Sequence, residues 1–395
     1  MSLLRSKQQA ISSGTSLSWT IGFVAAALAV FSLKIYLAYS TQGAPDISAW
    51  KDFLSHIQQC GVCVYQTGGW MQEPQGARVT PFNHPPFVIH FLRMIGSLSS
   101  ILGLDFAFVL RALTSVFDLG SAVLVYQLLR RSGLFNPAAF VLYLFAPATI
   151  IISGFHGQTD TVMIFFVLLA AFLIDRPMLA GLAFACALSI KIVPVIYVVA
   201  FIFYLRPKDR LWFVCSTAAT GLLLALPFIA QDPLTIIREV LGYSSFPGRW
   251  GWTLALYELI GPSRTFWIAS RIGGYVLIAY LWYLSIKMNR KNVLLFVQLG
   301  LISFMLLAFT PSWGANYMSW LDPFAATLGV VPALAYYSTS GAQLSHGYFG
   351  TYGSSRLVGI AWLAILFITW LFLRHIKQPG TVIQSATLVH KNRDH

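Results

Sequence analysis

The stretch LSWTIGFVAAALAVFSLKIYLAY, residues 17–39, decides the class of fold. It outlasts the apolar core of a signal peptide, about 7–15 residues, and reaches the length of about 20 residues that crosses a bilayer. Arg5 and Lys7 precede it. It therefore reads as an uncleaved first transmembrane helix whose N-terminus lies in the cytoplasm.

The same character recurs along the chain. Segments able to span lie near 105–129, 137–154, 161–174, 211–230, 266–286, 292–310 and 356–373. Met178 to Leu205 is too long for one pass and holds Lys191 and Pro194 at its middle, so it reads as two short helices in a hairpin. Composition agrees. Of 395 residues, 57% are hydrophobic and 10% charged, where a soluble domain carries about 25% charged residues. Mean hydropathy is +0.70. Too few polar side chains exist to cover a water-facing surface. The expectation is an all-α polytopic membrane protein with roughly 10–12 transmembrane helices. Residues 1–377 read as a single transmembrane domain, and the polar tail 378–395 as disordered.

The net charge of +13 does not point to nucleic acid. The basic residues sit in short clusters between apolar segments: Arg130-Arg131, Arg176, Arg206 to Arg210 and Lys287 to Lys291. Placing each cluster in the cytoplasm pairs off every intervening segment from the first helix onward, as the positive-inside rule requires. That holds only if Phe87–Leu104 does not span. It is laid in the interface beside a second surface helix from Ile47 to Gln59, whose Ile47, Trp50, Phe53, Leu54 and Ile57 share one face. Residues 41–104 thus form a long first outer loop carrying two interfacial helices. Prolines 323 and 332 interrupt residues 317–338, the loop 339–355 follows, and the side of the C-terminus stays open. Cys60 and Cys63 are read as a local disulfide or two free thiols.

With this topology the remaining motif-like polar residues all fall on the non-cytoplasmic face. They are Asp46, the run Phe82 to Phe87 with His84, then His156, Gln158 and Asp160, then Lys191 at the hairpin tip. The loop Gln231 to Trp252 adds Arg249 and Trp250, and Pro311 to Tyr317 adds Asn316 and Tyr317. Ionisable groups at membrane depth are costly and usually mark a working site. Each also has a plain structural reading. Asp46 can cap the surface helix, His84 can shape a turn before Pro85 and Pro86, and His156 and Asp160 can cap the fourth helix. Lys191 can snorkel to the surface. Trp250, Trp252 and Trp313 read equally as belt residues or substrate platforms. Arg111 and Asp118, two turns apart on one helix face, read as partners within the bundle.

The order of these elements resembles the GT-C superfamily of membrane glycosyltransferases, in its mannosyltransferase-like branch. The matching pieces are Pro45-Asp46 after the first helix, Phe82 to Pro86, Gly157 to Asp160, Ser189 to Pro194 and Asn316 to Pro323. The resemblance implies transfer of a hexose, mannose first among them, from a polyprenyl-phosphate donor to an acceptor hydroxyl, with inversion. It makes Asp46 the general base. Lys191 and Arg249, with His156 behind them, become candidates to stabilise the leaving phosphate, and Gln158 and Asp160 candidates to bind sugar hydroxyls or orient the donor. His84, Trp250, Asn316 and Tyr317 complete the expected substrate contacts. Many relatives carry a second carboxylate near the first, whereas here Ile47-Ser48 follows Asp46. The expectation is an enzyme without metal or other cofactor. Its acceptor is a lipid, glycan or protein, and its site faces the periplasm of a bacterial inner membrane in preference to the ER lumen. A polytopic transporter or lipid flippase is the alternative, and a non-catalytic lipid-binding protein a third reading.

Overall fold

The computed structural model describes residues 17–73, 76–242, 246–349 and 355–377. The expected tail 378–395, and Arg5 and Lys7, lie outside them. The protein is all-α and polytopic, as expected. Five helices among the described residues are long and apolar enough to cross a membrane: Thr20–Ser40, Phe106–Arg131, Pro137–His156, Pro207–Ile229 and Leu357–Ile376.

Helix α1 (Leu17–Ser40) leads into the long first loop, which opens with α2 (Asp46–Cys60) and continues to α3 (Phe87–Leu102). Both are amphipathic. α2 buries Ile47, Trp50, Phe53, Leu54 and Ile57, and Leu54 packs so tightly on α3 that a Cβ at Gly96 would meet its Cδ2 at 2.7 Å. Between them the structure adds an antiparallel hairpin, β1 (Gly69–Glu73) with β2 (Gly76–Thr80), which the helical reading did not contain. Its start is anchored to α2, where the Trp70 N–H donates to Asp52 at 2.8 Å. Cys60 and Cys63 pair as a local disulfide.

Helix α4 (Phe106–Arg131) begins at Asp105, whose carboxylate accepts from the Ala107 N–H at 2.8 Å. α5 (Pro137–Leu144) is capped by Asn136, and after Pro147–Thr149 the chain enters a π-helical turn, Ile150–His156. α6 (Asp160–Phe172) and α7 (Pro177–Ile190) follow. Lys191 ends α7, and the chain returns through Val193–Tyr197 into α8 (Val198–Tyr204), giving the expected hairpin.

Arg111 and Asp118 do not pair with each other. Seven residues apart on α4, they are separated by about 10 Å along the axis, and α1 and the residue just after it supply a partner to each. Lys34 of α1 forms a buried ion pair with Asp118. The Arg111 guanidinium donates to the carbonyl and the hydroxyl of Thr41, both at 2.9 Å. A charge inside the bundle needs a counter-charge or several acceptors, and a pattern read along one helix cannot say which neighbour provides them.

Two later segments differ from expectation. After α9 (Pro207–Ile229), the loop 231–252 is partly helical: α10 (Pro233–Leu241) begins at Asp232, whose carboxylate accepts from the Thr235 N–H at 3.2 Å. α11 (Gly251–Ile260), α12 (Arg264–Arg290) and α13 (Leu295–Phe309) follow. The stretch read as loop 339–355 is helical as far as residue 349, within α14 (Val330–Phe349). Pro332 sits in the first turn of α14, where its missing N–H breaks no helical bond. The polar residues that suggested a loop turn inward, leaving Ser340, Gly341 and Gln343 buried.

The last helix, α15 (Ser355–Lys377), settles the direction of the C-terminus. Trp362 donates to the Ala308 carbonyl near the outer end of α13, and Phe372 meets Phe304 deeper along it. α15 therefore runs antiparallel to α13 and delivers Arg374 to the side of the basic end of α12.

Candidate active site

The ends of these elements on the side of the loop between α1 and α4 surround one cavity of about 1320 Å³. Its polar part is lined by Asp46, His84, His156, Gln158, Lys191 and Asn316, with Tyr317 and Arg249 also in the wall. Its apolar part is lined by Leu254, Leu277, Ile278, Leu306, Leu307 and Leu357.

Asp46 opens α2 but does not cap it; no side-chain cap bond forms there. Its carboxylate turns towards the loop after the π-helical turn. Oδ1 accepts from Gln158 Nε2 at 2.6 Å. His156 Nε2 approaches Oδ2 to 3.0 Å, an ion-pair contact rather than an aligned hydrogen bond. The Tyr348 hydroxyl meets the other ring nitrogen of His156. Burial pushes the Asp46 carboxyl up, but the His156 charge and the close approach of His156 and Gln158 outweigh it and hold the group below its ordinary value.

Backbone geometry makes this meeting possible. Gly157, at φ +78°, reverses the chain between His156 and Gln158 in the left-handed region that favours glycine. A Cβ there would meet Ile47 Cδ1 at 2.7 Å and Arg111 Cγ at 2.9 Å. The same Arg111 fixes the segment after α1 through Thr41, so one side chain positions both walls.

A second cluster forms around Asp160, which is fully buried at the start of α6 and does not itself line the cavity. Lys191 Nζ lies 2.8 Å from each of its oxygens, Asn316 donates at 2.8 Å and Trp320 Nε1 at 2.5 Å. Tyr317 stacks on Trp320 with ring centroids 4.2 Å apart. One buried carboxylate thus gathers the α7–α8 hairpin and the Ala315–Trp320 turn, and presents Lys191 and Asn316 to the cavity.

His84 lies against Trp50, ring centroids 4.9 Å apart, and its carbonyl accepts from the Tyr65 hydroxyl at 2.7 Å. Burial and then the nearby Lys191 charge push its pKa down to about 3. Above its unfolded value of about 6.5 the ring is neutral in both states. Below that, the unfolded chain takes a proton that the folded one refuses, so stability is lost from about pH 6.5 down towards 3. Between pH 7 and 5, wild type is expected to lose about 2 kcal/mol that His84→Asn keeps. Thermal melting of both proteins across that range checks this; equal losses would sink it.

Trp250 is the expected site residue that stands apart. It is fully buried, stacks on Trp313 at 5.5 Å and donates to the Leu307 carbonyl at 2.6 Å, so it backs the wall rather than lining it. The cavity also contains residues that the sequence reading passed over. Tyr348 lay in the supposed loop. Arg271 lines the cavity from α12 with no hydrogen bond or ion pair among the described residues. As a lone arginine within an apolar segment it carried a readable signal.

No protein-family model matches the sequence, and no curated protein matches it either. Among solved structures, ArnT from Cupriavidus metallidurans bound to undecaprenyl phosphate aligns with a TM-score of 0.50, at 14% identity, over 92% of this chain and 78% of that one. The chain shares the fold of that ArnT structure. ArnT in the apo state aligns at 0.45, with 14% identity over 93% and 78% of the two chains. Archaeal oligosaccharyltransferase AglB from Archaeoglobus fulgidus, in complex with an inhibitory peptide and a dolichol-phosphate, aligns at 0.40, with 12% identity over 89% and 55%. In this chain the loop between α1 and α4 and the turns at the same ends of the helices form the polar wall.

Proposed function

We propose that the protein is a membrane glycosyltransferase that moves a hexose, mannose in the first instance, from a polyprenyl phosphate to an acceptor hydroxyl at the outer face of a bacterial inner membrane. One observation carries this reading. Asp46 is the only carboxylate among the described residues that lines a cavity large enough for a lipid-linked sugar, polar at one part and apolar at another.

The acceptor oxygen attacks the anomeric carbon, the bond from that carbon to the phosphate oxygen breaks, and the acceptor proton passes to Asp46. Direct displacement inverts the anomeric centre. A carboxylate held below its ordinary pKa is a weak base, but it suffices when the proton leaves late, after the forming C–O bond has made the attacking oxygen acidic. His156 and Gln158 orient the carboxylate. Cations near the departing phosphate stabilise its charge. Lys191 is already matched by Asp160, so Arg271 in the cavity wall is the cation that adds net positive charge there. Both oxygens of Asp46 are engaged by protein groups, which supports chemistry without a metal. The acceptor is a lipid, glycan or protein.

Membranes containing the protein, incubated with radiolabelled polyprenyl-phosphate hexoses and endogenous acceptors, should transfer label from at least one donor, and EDTA should leave that transfer unchanged. Absence of transfer from every donor would overturn the reading; loss in EDTA alone would overturn its metal independence.

A further inference from the structure

Helix α14 brings two polar side chains to the cavity that no described residue satisfies. Gln343 is 5% exposed and lines the wall, yet neither its amide nitrogen nor its amide oxygen has a hydrogen-bond partner among the described residues. His346 stands one turn further along the same face. Its buried Nε2 is likewise without a partner there. Neighbouring polar groups of α14 are not left this way: the hydroxyls of Thr339 and Ser340 bond back to carbonyls one turn earlier. A buried polar group with nothing to bond to destabilises the fold, so an amide and an imidazole left this way on one cavity point to a ligand that completes both.

The chemistry of that ligand follows from the groups. A carboxamide is uncharged and offers two N–H donors beside a carbonyl acceptor. An apolar polyprenyl chain would leave all of these unmet. A phosphate would use the donors but repel the carbonyl oxygen. Hydroxyl groups both donate and accept, and neighbouring hydroxyls on a sugar ring can engage both ends of one amide. Gln343 precedes Tyr348 by five residues, about 7.5 Å along the helix. The Tyr348 hydroxyl meets His156, which in turn meets Asp46. A ring held at Gln343 therefore shares the cavity with the Asp46 carboxylate.

We infer that Gln343 and His346 form the subsite that recognises the hydroxyls of the transferred sugar, an inference that rests on the glycosyltransferase reading above. The probes are citronellyl phosphate and citronellyl-phosphoryl mannose, glucose and galactose, titrated calorimetrically into the full-length protein in a detergent without a sugar headgroup. Wild type should bind at least one hexose conjugate more tightly than citronellyl phosphate. Gln343→Met and His346→Leu should each lose about tenfold of that gain, with citronellyl phosphate binding unchanged. A gain that survives in both variants, or no gain for any hexose in wild type, overturns the subsite while the transfer assay judges the glycosyltransferase reading separately. Wild type that binds none of the probes sinks that reading and this inference with it. If Gln343→Met also loses citronellyl phosphate, its cavity is damaged and His346→Leu decides.

Discussion

Asp46→Asn is expected to lower sugar transfer by about 10²- to 10⁴-fold, the range over which a positioned base acts. The fold should survive, because Asn retains an oxygen able to accept from Gln158, which now holds Oδ1 at 2.6 Å. Binding of the lipid phosphate should change little. The pH profile supplies a second readout. A base must be deprotonated, and the Asp46 carboxyl is held below its ordinary value, so the acid limb of transfer in wild type should fall below the usual carboxylate range. Transfer by Asp46→Asn within tenfold of wild type would remove Asp46 from the role of base.

Asp160→Asn should act on stability as much as on transfer. It leaves the Lys191 ammonium, whose side chain is 14% exposed, with no counter-charge, and sets an amide N–H₂ among three donors. Removing one member of a buried ion pair costs about 3–5 kcal/mol. The expected result is a sharply lower unfolding temperature together with loss of transfer, since Lys191, Asn316 and Trp320 all take their positions from this carboxylate. The double variant Asp160→Asn, Lys191→Met should recover much of the stability without the transfer, because no unpaired charge remains. An Asp160→Asn protein as stable as wild type would show that the pair holds nothing together.

Much of the site could be read from the chain because its residues stand at the ends of apolar segments. Asp46 follows α1, His156 ends the π-helical turn and Gln158 follows it, and Lys191 and Asn316 sit where helices break. Once the basic clusters assign a side to each segment, these positions fall on one face, and all five line the cavity. The partnerships across segments were not legible. Helical periodicity reports which face a residue occupies and not what lies opposite, so Asp118 was given to Arg111 instead of Lys34. Asp160 was read as a substrate contact, whereas its burial beneath Lys191, Asn316 and Trp320 emerges only when three distant segments meet. α14 was missed for two local reasons. Pro332 looks like a helix breaker but sits in a first turn, and Ser340, Gly341 and Gln343 look like loop residues but face the inside of the bundle.

The π-helical turn Ile150–His156 sets the rotational phase of the polar wall. Its bonds run across five residues, as from the Gly157 N–H to the Ile152 carbonyl at 3.0 Å, where an α-turn would span four. The surplus residue turns everything after it by about 100° relative to an unbroken α-helix. His156 therefore faces Asp46 because of a residue count upstream of it, among side chains that touch neither. Between Pro147 and Asp160 the length of the chain is itself a functional quantity, and a one-residue deletion there would act like a wrong gear tooth. Every side chain would be retained, and His156 would point elsewhere.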